Sequence, residues 1–264
     1  MARVHYGWVV AGAAFATLVA AAAFRAAPGP LMVPLHEDLG WSIVTMSAAV
    51  SVNLVLYGLT APFAAALMER FGLRRVTSVG LLMIAAGAGL SVFAQAAWQL
   101  VLTWGVLIGL GTGSMALVFA ATVANAWFVE RRGLVMGILT AGGAAGQLVF
   151  LPLVAYLAEA TSWKAASLLI AAAALAVIPV AALLLRDRPF DVGLPPYGAA
   201  DLVPPAPPTG RSVAGLALGA LREAAGTRAF WALAGAFAIC GATTNGLIGI
   251  HFIPSAHDHG MATT

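Results

Sequence analysis

Apolar residues form long runs along this chain, separated by short polar turns. The runs extend over residues 6–35, 42–68, 76–96, 98–127, 134–157, 163–185 and 230–254. Each is long enough to cross a bilayer as a helix, which takes about 20 residues. The runs lack strand-like alternation and are rich in Ala, Leu and Gly, which favours helices over a membrane barrel. The pattern predicts an all-α polytopic membrane bundle with seven transmembrane helices.

Basic residues are distributed unevenly between the loops. If the runs cross the membrane alternately, one side carries Lys164 alone, and a thirteenth basic residue, Arg25, lies inside the first run. Loops that retain Lys and Arg face the cytoplasm. The sequence therefore predicts an inner (plasma) membrane protein with a cytoplasmic N-terminus. The basic residues of the cytoplasmic side are Arg3, Arg70, Arg74, Arg75, Arg131, Arg132, Arg186, Arg188, Arg211, Arg222 and Arg228.

Composition agrees with a membrane protein and excludes other classes. The chain is 61% hydrophobic and 9% charged, whereas soluble domains carry about 25% charged residues. A net charge of +3 could suit nucleic acid, but these charges lie in short loops rather than on one soluble face. We therefore expect a lipid bilayer and no nucleic acid as partner. The single cysteine, Cys240, excludes a disulfide framework.

A proline-rich segment divides the chain. We predict a six-span bundle at 1–185, a cytoplasmic linker at 186–228 that is extended because of its prolines, and the first span of an incomplete second half at 229–264. Within the linker, residues 212–225 are predicted to form a short surface helix. A constant shift of 220 positions supports a repeat, since it pairs Pro34 with Pro254, Asp38 with Asp258 and Gly40 with Gly260. Parallel six-helix halves are a known transporter plan. A missing C-terminal half or a second copy would complete it; the alternative is a seven-span receptor-like protein.

The turn between the second and third runs contains a charged motif, Glu69-Arg70-Phe71-Gly72-Leu73-Arg74-Arg75. It resembles the signature loop of the major facilitator superfamily, G-x-x-x-D-R-x-G-R-R, with Ala65 for the first glycine and glutamate for aspartate. The resemblance implies a transporter that works by alternating access between two six-helix halves. It also implies a conformational gate formed by Glu69, Arg70, Gly72, Arg74 and Arg75, in keeping with the bistable interfaces of switching proteins.

Four further stretches resemble one branch of that superfamily. They are His5-Tyr6-Gly7-Trp8, Val33-Pro34-Leu35 with the following Gly40-Trp41-Ser42, Trp127-Phe128, and the segment 188–198 that follows the sixth run. Together they are similar to the bacterial monocarboxylate porters and oxalate–formate antiporters. The resemblance implies a small organic anion, a monocarboxylate or dicarboxylate, as substrate.

Arg25 is the sharpest chemical signal in the sequence. A charged side chain inside a membrane span costs at least about 2.5–3.5 kcal/mol, so such residues are usually functional. A guanidinium group can bind a carboxylate through two parallel hydrogen bonds. The alternative is a structural arginine that binds backbone carbonyls or reaches the outer interface. The implied carboxylate substrate favours the first interpretation.

Other polar side chains in the runs can either line a cavity or form hydrogen bonds between helices. With Arg25, we predict that Tyr57, Gln147 and Asn245 bind the substrate. The other polar candidates are Asn53, Asn125, Thr243 and Thr244. The glycine pairs Gly109 and Gly113, and Gly142 and Gly146, are spaced for close helix contacts.

No catalytic constellation is recognisable. The runs contain no Ser–His pair and no paired aspartates, so we predict that the protein is not an enzyme. His257 and His259 lack a third ligand, and we predict neither a metal nor a cofactor. Two alternatives to an anion carrier remain: a drug or metabolite exporter of the same superfamily, and a truncated remnant that does not transport.

Overall fold

The computed structural model describes residues 5–202, 204, 212–248, 252 and 255–256. Its α-helices are α1 Tyr6–Arg25, α2 Pro28–Leu39, α3 Ile43–Phe71, α4 Leu73–Ser91, α5 Ala97–Leu100, α6 Gly109–Ser114, α7 Leu117–Trp127, α8 Arg132–Ala160, α9 Trp163–Leu184, α10 Val213–Ala225 and α11 Arg228–Cys240. Residues Val101–Ile108 and Gly241–Ile248 are π-helical, and Pro189–Val192 form a 3₁₀ turn. No strand occurs among these residues. The predicted all-α class is confirmed.

Six helical units are long and apolar enough to cross a membrane: α1, α3, α4, the composite Ala97–Trp127, α8 and α9. Their bounds agree with the first six predicted spans to within a few residues, except in the first. There a single helix over 6–35 was expected, and the structure instead breaks it at Ala26 and Ala27 before α2. Pro28 and Pro30 explain the break, because proline lacks the amide hydrogen that an uninterrupted helix requires.

The centre of the bundle is α1, of which 67% of the most apolar window is buried, against 22% for α3 and for α8. It packs against α8 and α9, and α4 packs against α9. The contacts depend on glycine. A Cβ on Gly142 would lie 2.9 Å from the Phe15 ring, and one on Gly146 would lie 2.8 Å from Ala22 Cβ. This confirms the predicted close contact at this glycine pair.

The seventh predicted span corresponds to a bent pair of helices. Helix α11 begins near the expected position and follows α10 at a bend of 100°, and the pair together is long and apolar enough to cross a membrane. The surface helix expected at 212–225 is present as α10, which packs against α3. No side chain of α11 is buried. The repeat residues Pro254, Asp258 and Gly260, and the pair His257 and His259, lie outside the described residues.

The segment after α9 is folded onto the bundle. Tyr197 N–H donates to Trp127 O at 2.8 Å, and Val129 N–H donates back to Tyr197 O at 2.9 Å. The Tyr197 ring meets the Phe128 ring at 5.8 Å and the Trp8 ring at 5.9 Å. The proline-rich segment is therefore not a free tether here: its backbone pairs with the chain at the end of α7, and the Tyr197 ring packs on aromatic side chains.

His5 fastens the same segment to the start of α1. Its Nδ1 accepts a hydrogen bond from Gly7 N–H at 3.1 Å and caps the helix. Its Nε2 lies 3.1 Å from Pro195 O, which can only accept, so Nε2 carries the hydrogen. Three of the stretches that resemble the monocarboxylate-porter branch thus meet at one end of the bundle.

A charged contact joins the C-terminal end of α2 to the N-terminal end of α9. Trp163 Nε1–H donates to Asp38 Oδ2 at 2.8 Å, and Lys164 Nζ lies 3.9 Å from the same oxygen. Both ionic side chains are about half exposed, so the ion pair itself is worth at most about 1 kcal/mol. The hydrogen bond from the Trp163 indole orients the Asp38 carboxylate.

Candidate functional site

Arg25 ends α1 at the helix break, and its side chain is exposed although its neighbours are not. Phe24, Ala26 and Ala27 are all buried, with exposed fractions of 2%, 7% and 0%. A cation at a helix C-terminus is favourable, because the last carbonyl groups carry partial negative charge. The guanidinium group therefore projects from an otherwise buried turn into open space.

Among the residues that the structure describes, Tyr57 is the polar partner of this guanidinium. Arg25 Nη1–H donates to Tyr57 Oη at 3.4 Å, and the guanidinium carbon lies 5.1 Å from the centre of the phenol ring. Within the part of the chain that the structure describes, Arg25 forms no salt bridge. Two residues chosen independently from the sequence are thus in contact, and the cation retains most of its donors for another anion.

Close helix contacts fix both partners. A Cβ on Gly113 would lie 2.9 Å from Tyr57 O, and one on Gly109 would lie 3.1 Å from Asn53 Cα, so α3 rests directly on α6. The predicted role of this second glycine pair is therefore confirmed. On the other side, Gly146 of α8 touches α1 one turn before Arg25. Arg25 and Tyr57 thus lie on helices whose close backbone contacts leave little freedom of movement.

Asn53 forms a hydrogen bond between two helices. It is 7% exposed, and its Nδ2 donates to Trp104 O at 2.6 Å. Trp104 belongs to the π-helical turn, where a carbonyl is more readily available to a side chain. Its ring meets the Phe24 ring edge-on at 5.3 Å, immediately before Arg25. Of the two alternatives left open for Asn53, the structure shows the hydrogen bond between helices.

Of the other predicted substrate residues, those whose side chains the structure describes make no hydrogen bond to Arg25. Gln147 is half-buried on α8, next to the contact that Gly146 makes with α1. The Asn245 side chain lies outside the described part of the structure. Asn125 is exposed and lines a depression at the far end of the bundle. Thr243 donates to Ile239 O in its own helix at 2.9 Å. Gln147 and Asn245 remain predictions.

The charged turn between α3 and α4 has a partner that the sequence analysis missed. Asp187, three residues beyond the end of α9, accepts a hydrogen bond from Arg74 N–H at 2.9 Å. The carboxylate occupies the N-terminus of α4, where free amide groups and the helix dipole favour an anion. Gly72 makes room: its φ is +90°, and a Cβ there would lie 2.6 Å from Asp187 Cγ.

The arginines of this turn surround a depression of about 770 Å³ that is also lined by Glu69, Asp187 and Asp191. The Arg70 guanidinium lies 5.5 Å from the Phe71 ring centre. Among the described residues, neither Glu69 nor the arginines at 70, 74 and 75 form a salt bridge. The turn is therefore held by the Asp187 cap rather than by the ion pairs that a gate interpretation suggests.

A signal for Asp187 did exist in the sequence. It is an isolated acid among Arg186 and Arg188, directly after a span. Because it lies more than a hundred residues from Gly72 in the chain, only the packing of α4 on α9 reveals that the two meet. The same holds for Tyr197, whose partner Trp127 is distant in sequence.

Comparison with known proteins agrees with this architecture. The family model described as Major Facilitator Superfamily matches residues 13–263. Monocarboxylate transporter 11 of Mus musculus is 31% identical over 254 residues, which are 96% of this chain and 51% of that protein. Monocarboxylate transporter 3 of Mus musculus is 35% identical over 167 residues, 62% of this chain and 33% of that protein. Monocarboxylate transporter 9 of Pongo abelii is 29% identical over 196 residues, 72% of this chain and 37% of that protein.

These relatives set the scale of the chain. The chain spans about half the length of Monocarboxylate transporter 11 of Mus musculus. The six long apolar helices establish an integral, multi-pass membrane protein. With the match to the family model over nearly all of its residues, the chain belongs to the Major Facilitator Superfamily.

Proposed function

We propose that this chain forms the six-helix half of a secondary transporter in which Arg25 and Tyr57 bind the carboxylate of a small organic anion. Its relatives are named monocarboxylate transporters, which favours a monocarboxylate substrate, with a dicarboxylate as the second choice. The observation that carries the proposal is the exposed guanidinium of Arg25 at a break in the central helix, which forms no ion pair among the described residues.

The chemistry follows from the donors that remain. Arg25 uses one N–H for Tyr57, and a guanidinium group has five N–H donors in a planar fork. Two of the others can bind both oxygens of a carboxylate, while the Tyr57 hydroxyl, which accepts from Arg25, still has its own hydrogen to donate to the same anion. The guanidinium is exposed in this half, and covering it with a second bundle would exclude water and strengthen this attraction.

The remaining wall of the site is proposed to come from a second helical bundle. Helices α3 and α8 are largely uncovered, and the chain spans about half of its relatives' length. A second copy of the chain is the competing source. Alternating access then requires the bundles to rock about the site, with the Glu69–Arg75 turn and its Asp187 cap as the gate and the N-terminus in the cytoplasm.

Ligand-induced stabilisation in lipid nanodiscs tests the proposed site. We expect lactate, pyruvate or formate to raise the unfolding temperature of the wild-type chain, because a ligand that binds only the folded state stabilises it. Arg25→Ala should abolish this increase, and Arg25→Lys should weaken it, because lysine cannot bind both oxygens through a planar fork. Tyr57→Phe should give an intermediate loss.

The matched control is Arg131→Ala, which removes an exposed arginine from a loop. It should leave the increase intact. Equal stabilisation of the Arg25→Ala variant would refute carboxylate binding at Arg25. A response to neutral drug-like compounds, independent of Arg25, would instead support the exporter alternative.

A further inference from the structure

An apolar groove lies on the outside of the bundle, apart from the Arg25 site. Its volume is about 450 Å³, and it runs between α3, α4 and α6. Leu67, Val79 and Met83 contribute to its walls, and the accessible lining is almost entirely hydrocarbon. The Val79 side chain is 56% exposed. Because α3 and α4 are membrane-spanning helices, lipid chains rather than water surround such a surface.

One end of this groove is cationic. Arg75 lines the groove and also lines the depression around the α3–α4 turn, as does Phe71, so the two concavities are adjacent. Arg70, Arg74 and Arg188 line the depression as well. Asp187 already uses one carboxylate oxygen on the α4 backbone rather than on an arginine side chain. Among the described residues, the Arg75 guanidinium has no carboxylate within salt-bridge distance.

A ligand that fills the apolar groove and also pairs with Arg75 must carry a long hydrocarbon chain and an anionic head. Basic residues beside the membrane surface attract the anionic lipids of that leaflet. A free phosphate ion would use the arginines but leave the groove empty. A neutral acyl chain would fill the groove and leave the arginines unpaired.

We propose that this groove binds an anionic glycerophospholipid, with one acyl chain between α3, α4 and α6 and its phosphate on Arg75. The lipid lies against the turn that joins α3 to α4. It therefore occupies a position from which it can stabilise one arrangement of that turn. This inference is independent of the Arg25 site.

Native mass spectrometry of the delipidated chain tests the proposal, with short-chain phosphatidylglycerol and phosphatidylcholine as probes. The wild-type chain should retain one phosphatidylglycerol in preference to phosphatidylcholine. Arg75→Gln should reduce that binding about fivefold, the effect of one arginine near an anionic lipid surface. Val79→Trp should reduce it by filling the groove without changing any charge. Val79→Ser, which makes the wall polar, serves the same purpose if the larger side chain prevents folding.

The matched control is Arg131→Gln, which removes one positive charge from another exposed loop. It should leave phosphatidylglycerol binding unchanged, and inorganic phosphate should fail to displace the lipid. A loss as large in Arg131→Gln as in Arg75→Gln would overturn the proposal in favour of general electrostatic attraction. Undiminished binding in both folded Val79 variants, displacement by phosphate, or equal retention of phosphatidylcholine would also overturn it.

Discussion

Replacing Gly72 with alanine tests the cap that joins the charged turn to the end of α9. The added Cβ would lie 2.6 Å from Asp187 Cγ and 2.7 Å from Oδ1, closer than a methyl group can approach a carboxylate. The carboxylate must therefore leave the N-terminus of α4. In addition, alanine would have to adopt the backbone φ of +90° that glycine adopts without strain.

The two costs can be separated. Holding a non-glycine residue at this φ costs about 1–3 kcal/mol. Losing a side-chain cap at a helix N-terminus costs about 0.5–2 kcal/mol. We therefore expect Gly72→Ala to lower the free energy of unfolding by about 2–4 kcal/mol, within the range known for backbone and cap effects.

The assay is reversible unfolding in detergent micelles with added denaturant, followed by circular dichroism. Gly133→Ala is the matched control, because its Cβ would meet nothing within 4 Å and its backbone is helical; it should leave stability unchanged or raise it by about 0.4–1 kcal/mol. In an Asp187→Ala background, Gly72→Ala should cost less than in the wild type, by about the value of the lost cap. Equal stability of the two glycine variants, or strict additivity with Asp187→Ala, would refute the reasoning.

Three further substitutions probe other contacts. Asn53→Ala should destabilise the chain by about 1–3 kcal/mol, because it removes the buried 2.6 Å bond to Trp104 O; unfolding by the same assay would show no change if the bond carried no weight. Gly146→Ala should push α8 from α1 and cost about 1–3 kcal/mol, whereas Gly143→Ala, with nothing within 4 Å, should not; equal effects would contradict the close contact. Tyr197→Ala should release the folded segment after α9, seen as faster cleavage there by limited proteolysis, and unchanged cleavage would show that the aromatic contacts do not hold it.

The sequence predicted the span pattern well because hydrophobic length is a local property. Helices α3, α8 and α9 begin and end within a few residues of the expected positions. The break in the first span was missed, although Pro28 and Pro30 signal it, because a run of alanines on its N-terminal side looks continuous by hydropathy. Proline inside apolar helices is common enough that its presence alone does not locate a break, as Pro62 within α3 shows.

Contacts between residues that are distant in the chain were harder to predict from the sequence. Arg25 and Tyr57 could each be identified, since a polar group in a span is conspicuous, but their contact joins α1 to α3 and is visible only in the folded bundle. Asp187 was missed because an acid in a basic loop looks like a solvated charge. The packing of the linker could not be predicted from the sequence, since proline density reports backbone preference and not whether rings such as Tyr197 find partners.

The central claim is that the Arg25 guanidinium binds a carboxylate. Solid-state NMR of the chain in lipid bilayers, with nitrogen-labelled arginine and lactate labelled at its carboxylate carbon, measures that contact directly. The account predicts a dipolar coupling between the carboxylate carbon and a guanidinium nitrogen in the wild-type chain, and its loss in Arg25→Lys. A coupling that persists in Arg25→Lys, or its absence from wild-type chain that binds lactate, would contradict the claim.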